Sequence, residues 1–313
     1  MRVQASSAIA TSAALAASVP AIGLNDGIHL AVHPTCGMLG GTFQDVNAGI
    51  DLSIVKTIVS FGDSYTDGGR HDGGPLAPPV IIPPSSLAGG RSTNGPVWVE
   101  DIANDLNATL KDYAVAGAVV NLTLWPSNPR PADFLQQMTV FLDQSNDLDP
   151  DTTLYTIFFG INDWIASMID GDHLPEAAEE LLSQIAILAS PPTSGRSFLV
   201  TDVYGRGTHT ATGEAWKQAV FDGLSAFHAG KNVPAPLNVA YGDFSHIWDG
   251  VLDGPPGYKA FGYKNTSSCV QGSTLDGECD DPTHYFYWIP GHPSKETHRI
   301  MADYVEELLF KCN

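Results

Sequence analysis

Four short blocks carry residues suited to acyl chemistry. The first reads Phe61-Gly62-Asp63-Ser64-Tyr65-Thr66-Asp67 and follows an apolar β-branched run. A strand that ends at a glycine turn and presents Ser64 where a helix is expected to begin would aim backbone N–H groups at developing negative charge. The bland alternative is that Asp63 and Ser64 only cap that helix. The second block, Asp112-Tyr113-Ala114-Val115-Ala116-Gly117-Ala118, ends another apolar run with a glycine able to offer a close backbone N–H. The third, Phe158-Phe159-Gly160-Ile161-Asn162-Asp163, places Asn162 where its amide can donate. The fourth, Gly291-His292-Pro293-Ser294, puts an imidazole just before the last helical pattern. A hydroxyl, an imidazole and two oxyanion donors are the parts of serine-nucleophile catalysis.

The elements that must position them are legible in outline. Ile54 to Phe61, Tyr113 to Val120, Leu154 to Phe159, Ser197 to Val203 and Asn238 to Tyr241 read as strands. Ala177 to Leu188 and Ala215 to Phe227 read as helices, and a last helix is expected after Pro293 with Ser294 as its N-cap. Alternating strand and helix predicts a doubly wound, flavodoxin-like α/β sandwich of three layers with about five parallel strands. In such sheets ligands bind beyond the carboxyl ends of the strands, where the first three blocks fall. Gly68 to Pro96, rich in proline and glycine, predicts a long structured loop, either the rim of a cleft or a surface insertion.

Composition narrows the partners. Of 313 residues, 43% are hydrophobic and 16% charged, which fits a globular chain. The net charge of −20 disfavours nucleic acid and anionic membranes as partners. Residues 1–21 read as a signal peptide: Arg2, an Ala/Ser-rich apolar run, then Val19-Pro20-Ala21 as the cleavage site. A single domain is expected over 22–313, with no membrane anchor in the mature form. Sequons at Asn107, Asn121 and Asn265 suit N-glycans on an exported chain. Cys269 and Cys279 bracket a short polar loop and are expected to pair, leaving Cys36 with Cys312, although spacing alone leaves three pairings open. No CxxC spacing appears, and a metal site is not expected.

In this order and spacing the four blocks resemble the GDSL or SGNH hydrolases. The stretch Arg91-Ser92-Thr93-Asn94-Gly95-Pro96-Val97-Trp98 is similar to the GRxxNGxxW stretch of eukaryotic members. The resemblance implies that Ser64 is the nucleophile, His292 the general base, and Gly117 and Asn162 the oxyanion donors beside the Ser64 amide. No cofactor is implied. It also implies a secreted esterase of short acyl groups, acetyl on plant-wall carbohydrate being favoured over a lipid or aryl ester. One departure stands out: where the family has Asp three residues before the histidine, this chain has Ile289. A backbone carbonyl near Trp288 or Ile289 could take the ring N–H, or Asp281 or Asp280 could fold back, or the chain could be a weakened, carbohydrate-binding relative. His284, in an Asp281-Pro282-Thr283-His284 spacing, is a rival base, and His298 is expected to be structural. Trp98, Trp164 and Trp288 lie near site blocks, as core or as sugar platforms.

Overall fold

A computed structural model describes residues 26–312; the signal-peptide reading of 1–21 lies outside the described residues. The main sheet is built from β1 (Val46–Ala48), β2 (Thr57–Gly62), β3 (Thr109–Asp112), β4 (Thr153–Phe158), β5 (Ser197–Asp202) and β6 (Asn238–Asp243). Their spatial order is β1-β6-β5-β4-β2-β3. The pairs from β3 to β6 are all parallel, and β1 runs antiparallel on the β6 edge. The chain therefore leaves β2 toward β3, then crosses back to β4, so the direction of winding reverses beside β2, the kind of switch point at which open α/β sheets bind ligands.

Alternation within the strands divides the core into two halves. Val59, Phe61, Tyr155, Ile157, Phe198, Val200, Val239 and Tyr241 face one side. There they pack on α2 (Phe134–Asp143), α4 (Leu174–Ala189) and α5 (Ala211–His228). Ile58, Leu154, Phe158, Leu199 and Ala240 face the other, against α1 (Trp98–Asp105), α6 (Ser245–Leu252) and α7 (Lys295–Lys311). Between them α3 (Ile161–Asp170) leaves the end of β4. The result is the expected three-layer α/β sandwich with parallel strands β2 to β6. Ser294 caps α7, its hydroxyl accepting from the Thr297 amide at 3.4 Å.

Two readings of the sequence are corrected. No helix follows Ser64: a single turn leads into the long loop, which reaches α1 at Trp98 without a regular element. The apolar run Tyr113–Val120 is not a strand; β3 precedes it, and the run crosses the core as a held loop. A second sheet, of β7 (Asn265–Ser268), β8 (Tyr285–Ile289) and β9 (His292–Pro293), was not foreseen. The expected disulfides, Cys36–Cys312 and Cys269–Cys279, are both present. No helix among the described residues is long and apolar enough to cross a membrane.

Candidate active site

Ser64 sits at the carboxyl end of β2 in a turn made by its neighbours. The Asp63 carbonyl accepts from the Thr66 and Asp67 amides at 3.0 and 2.9 Å, and the Asp63 carboxyl accepts from the Tyr65 amide at 3.0 Å. The turn stops there because Asp67 and its neighbours bond elsewhere. The Asp67 carboxylate accepts from Gly69 and from Ala116 in the second block, both at 2.7 Å. In return Asp112 accepts from Gly68 at 2.6 Å and from Ala114 at 2.9 Å. The Ser64 and Gly117 loops thus clasp each other through two buried carboxyls. From the third block, Asp163 takes the Val120 amide at 2.9 Å and the Trp125 indole N–H at 2.7 Å.

Gly117 has φ +81°, and a Cβ there would come within 2.5 Å of Arg130 Cγ, so both backbone and space require glycine. Among the described residues neither the Ser64 nor the Gly117 amide has a protein acceptor. Asn162, in the first turn of α3, is engaged: its Nδ2 donates to the Ala118 carbonyl at 2.9 Å and to the Asp63 carboxyl at 3.2 Å. Burial pushes the Asp63 carboxyl up to about 8. A neutral carboxyl is the weaker acceptor, so the longer of the two Asn162 bonds is the one a stronger acceptor would displace.

His292 comes from the small sheet. Its Nε2 lies 3.0 Å from Ser64 Oγ and its Nδ1 lies 3.0 Å from the Pro290 carbonyl. A carbonyl can only accept, so the neutral ring carries its proton on Nδ1 and turns the Nε2 lone pair to Ser64. Desolvation lowers the ring's pKa below the ordinary histidine value; the Pro290 bond opposes this and the Arg206 charge adds to it. The acceptor is therefore a backbone carbonyl near Ile289, as one reading allowed, and it is that of Pro290. Asp281 is occupied elsewhere, bonded to Lys264 Nζ at 2.6 Å and His284 Nδ1 at 2.7 Å, so neither it nor its rival histidine approaches Ser64 through that pair. His298 is buried in α7 beside Tyr65, and desolvation holds its ring neutral down to about 3.

The long loop fastens the site from outside. Arg91, fully buried, forks onto Glu100 at 2.6 and 2.7 Å and also donates to the Ala88 and Ala77 carbonyls. Asn94 accepts from the Lys295 amide at 2.8 Å at the start of α7, and Trp98 donates to Thr66 Oγ1 at 3.2 Å. This stretch thus braces the turn that bears Ser64 and the helix that follows His292. Trp98 and Trp288 are core residues, whereas Trp164 is half-buried, its indole donating to Thr210 Oγ1 at 3.2 Å. Sequence reasoning missed Arg206 and Tyr65, which meet the His292 turn at the Gly291 carbonyl. The available signal for Arg206 was its place just past the end of a parallel strand.

A surface depression lies elsewhere, lined by Lys264, Asn265, Glu278, Cys279, Asp280, Asp281 and Tyr285, and includes none of the four blocks.

Comparison with known proteins adds the following. Over 70 residues the chain is 41% identical to an acetylesterase of Hypocrea jecorina, a match that spans 20% of this chain and only 19% of that protein. Among solved structures, a family two carbohydrate esterase from Clostridium thermocellum aligns with TM-score 0.47 and 16% identity, covering 82% of this chain and 64% of that one. An acetylxylan esterase from Geobacillus stearothermophilus aligns with TM-score 0.44 and 16% identity over 83% and 98% of the two chains. A family model described as GDSL-like lipase/acylhydrolase matches residues 58–305, most of the 313, and the chain belongs to that family.

Proposed function

We propose that this chain is a secreted carboxylic ester hydrolase that removes short acyl groups, acetyl above all, from carbohydrate. Ser64 is its nucleophile and His292 its base. The observation that carries this reading is the 3.0 Å approach of His292 Nε2 to Ser64 Oγ, with the far ring nitrogen held by Pro290. As Ser64 attacks the ester carbonyl, Nε2 takes its proton and the imidazolium keeps its Nδ1–H on the Pro290 oxygen. The Ser64 and Gly117 amides meet the oxyanion, and Asn162 joins them by releasing Asp63. One such donor contributes roughly 3 kcal/mol to the transition state. Nε2 then protonates the leaving alcohol, and water, activated by the same nitrogen, frees the acyl group.

A missing triad carboxylate can cost about four orders of magnitude, largely through the wrong tautomer. Pro290 preserves the right tautomer, so much of that loss is avoided. The acetyl and carbohydrate preference draws on the partial match to an acetylesterase and on a net charge of −20, which repels anionic lipid surfaces. Export, with cleavage after Ala21, a single domain over 22–313 and glycans at Asn107, Asn121 and Asn265, draws on the leader, the sequons and two disulfides.

The test is fluorophosphonate labelling of wild type and Ser64→Ala, paired with hydrolysis of acetylated xylo-oligosaccharides and long-chain nitrophenyl esters. Labelling that requires Ser64, with faster deacetylation of the sugar, is expected. Folded protein without Ser64-dependent labelling would leave the carbohydrate-binding reading instead, and preference for long chains would make it a lipid esterase.

A further inference from the structure

Two side chains from outside the small sheet meet the turn that carries His292 at one backbone oxygen. The Gly291 carbonyl accepts from Tyr65 Oη at 2.7 Å and from Arg206 Nη1 at 3.1 Å. We propose that Arg206 is a positioning residue, which with the Tyr65 hydroxyl clamps the Gly291 carbonyl and so sets the reach of the His292 ring to Ser64. This rests on the Ser64–His292 reading above.

Three observations support it. First, the clamp joins neighbours of both reacting groups: Tyr65 follows the nucleophile and Gly291 precedes the base, so one oxygen ties the two turns together. Fixing the peptide plane between Gly291 and His292 fixes the backbone from which the ring projects. Second, neither donor is free to wander. The Tyr65 ring stacks on Phe158 and Trp248 at centroid distances of 5.5 and 5.8 Å, and burial pushes its phenol well above the ordinary range, so it remains a donor. Arg206 is held by its own amide on the Val203 carbonyl at 2.9 Å, yet it has φ +49°, a left-handed conformation that a side-chain-bearing residue adopts at a cost. Third, Gly291 also lies at φ +70°, and a Cβ there would collide with Arg206 Nη1. The guanidinium therefore packs directly on the turn, without space for any side chain between.

The same cation opposes formation of the imidazolium. Near the ring stand Arg206 from the loop after β5, the Tyr65 ring at a centroid distance of 6.0 Å, and His298 from α7. Arg206 is the cation in this set, so its removal raises the pH at which the base is lost.

The experiment measures kcat and KM for 4-nitrophenyl acetate between about pH 4 and pH 8, with thermal midpoints, for wild type, Arg206→Gln, Arg206→Lys and Tyr65→Phe. Loss of one clamp donor is expected to lower kcat by about tenfold with KM little changed. Arg206→Gln should also move the acid limb of kcat/KM to higher pH, while Arg206→Lys keeps the limb in place. Unchanged kcat, a loss confined to KM, or an unmoved acid limb in folded Arg206→Gln overturns the clamp. Should Arg206→Gln not fold, Tyr65→Phe decides alone, and wild-type kcat there overturns it. Ser64→Ala separates the two readings: if it still hydrolyses the ester, the parent mechanism fails, whereas Ser64-dependent activity with wild-type-like clamp variants removes only the clamp.

Discussion

Replacing Ile289 by Asp asks whether a backbone carbonyl suffices to orient the His292 ring for the proposed chemistry. Ile289 is the cross-strand partner of His292 between β8 and β9, and partners on one face of an antiparallel pair lie about 5 Å apart. A carboxylate there would face the imidazolium at that range, an attraction of roughly 3 kcal/mol at an effective dielectric near 20. The Nδ1–H already has a partner, however. Exchanging a neutral acceptor for a charged one is worth about 1 kcal/mol more, so plateau turnover should rise by no more than about tenfold. That lies far below the roughly ten-thousandfold expected if the ring were unheld. Because the carboxylate favours the imidazolium, the acid limb of kcat/KM should move to higher pH, and activity at pH 5 should fall relative to pH 7. Ile289 packs against the cluster around Trp288 and the Cys269–Cys279 disulfide, so the variant should also be less stable by about 1–2 kcal/mol. Rate–pH profiles with thermal unfolding of both proteins make the measurement. A gain of three orders of magnitude or more would refute the reasoning, since it would mean that Pro290 does not hold the ring in the working enzyme.

Asn162→Ala should lower kcat by about a hundredfold to a thousandfold with little change in KM, because the Ser64 and Gly117 amides remain; steady-state kinetics check this, and a loss below tenfold would remove Asn162 from the oxyanion site. Stability should be greater near pH 5 than near pH 8. Burial raises the carboxyls of Asp63 to about 8, of Asp202 and Asp101 to about 7, and of Glu296 to about 7, above 3.8 for Asp and 4.5 for Glu in the unfolded chain. Across that window the folded state keeps protons that the unfolded state has released, so stability falls as pH rises. His209 and His246, raised by their carboxylate partners, act in the same direction, while neutral His298 acts against it below the ordinary histidine value. A thermal midpoint that climbs from pH 5 to pH 8 would contradict this balance.

The sequence and the structure agree where burial and hydrogen bonding coincide. Continuous apolar runs located β2, β4, β5 and β6 because central parallel strands are covered on both faces. They misplaced β3, where Thr109–Asp112 pairs with β2 as a polar-ended edge strand while the apolar Tyr113–Val120 that follows is buried without a partner strand. Apolarity reports exclusion from water, not the pattern of backbone bonds. The site blocks were legible because turn glycines and their polar neighbours lie close together in sequence. The Pro290 acceptor could be narrowed only to a few residues, since carbonyl direction is set by the two-residue strand β9 and its bulge. For Arg206 the one cue was its place past the end of β5, because the oxygen it meets belongs to a residue 85 positions away.

The bridge between Cys36 and Cys312 joins residues 276 positions apart and turns most of the chain into a covalent circle. A single nick inside that circle, for instance in the long proline-rich segment after Ser64, cannot release a fragment. The two pieces stay joined until a reductant acts, so a once-cut enzyme would migrate as intact mass on a non-reducing gel and as two bands on a reducing one. That keeps Ser64 and His292 on the same particle after the first cut.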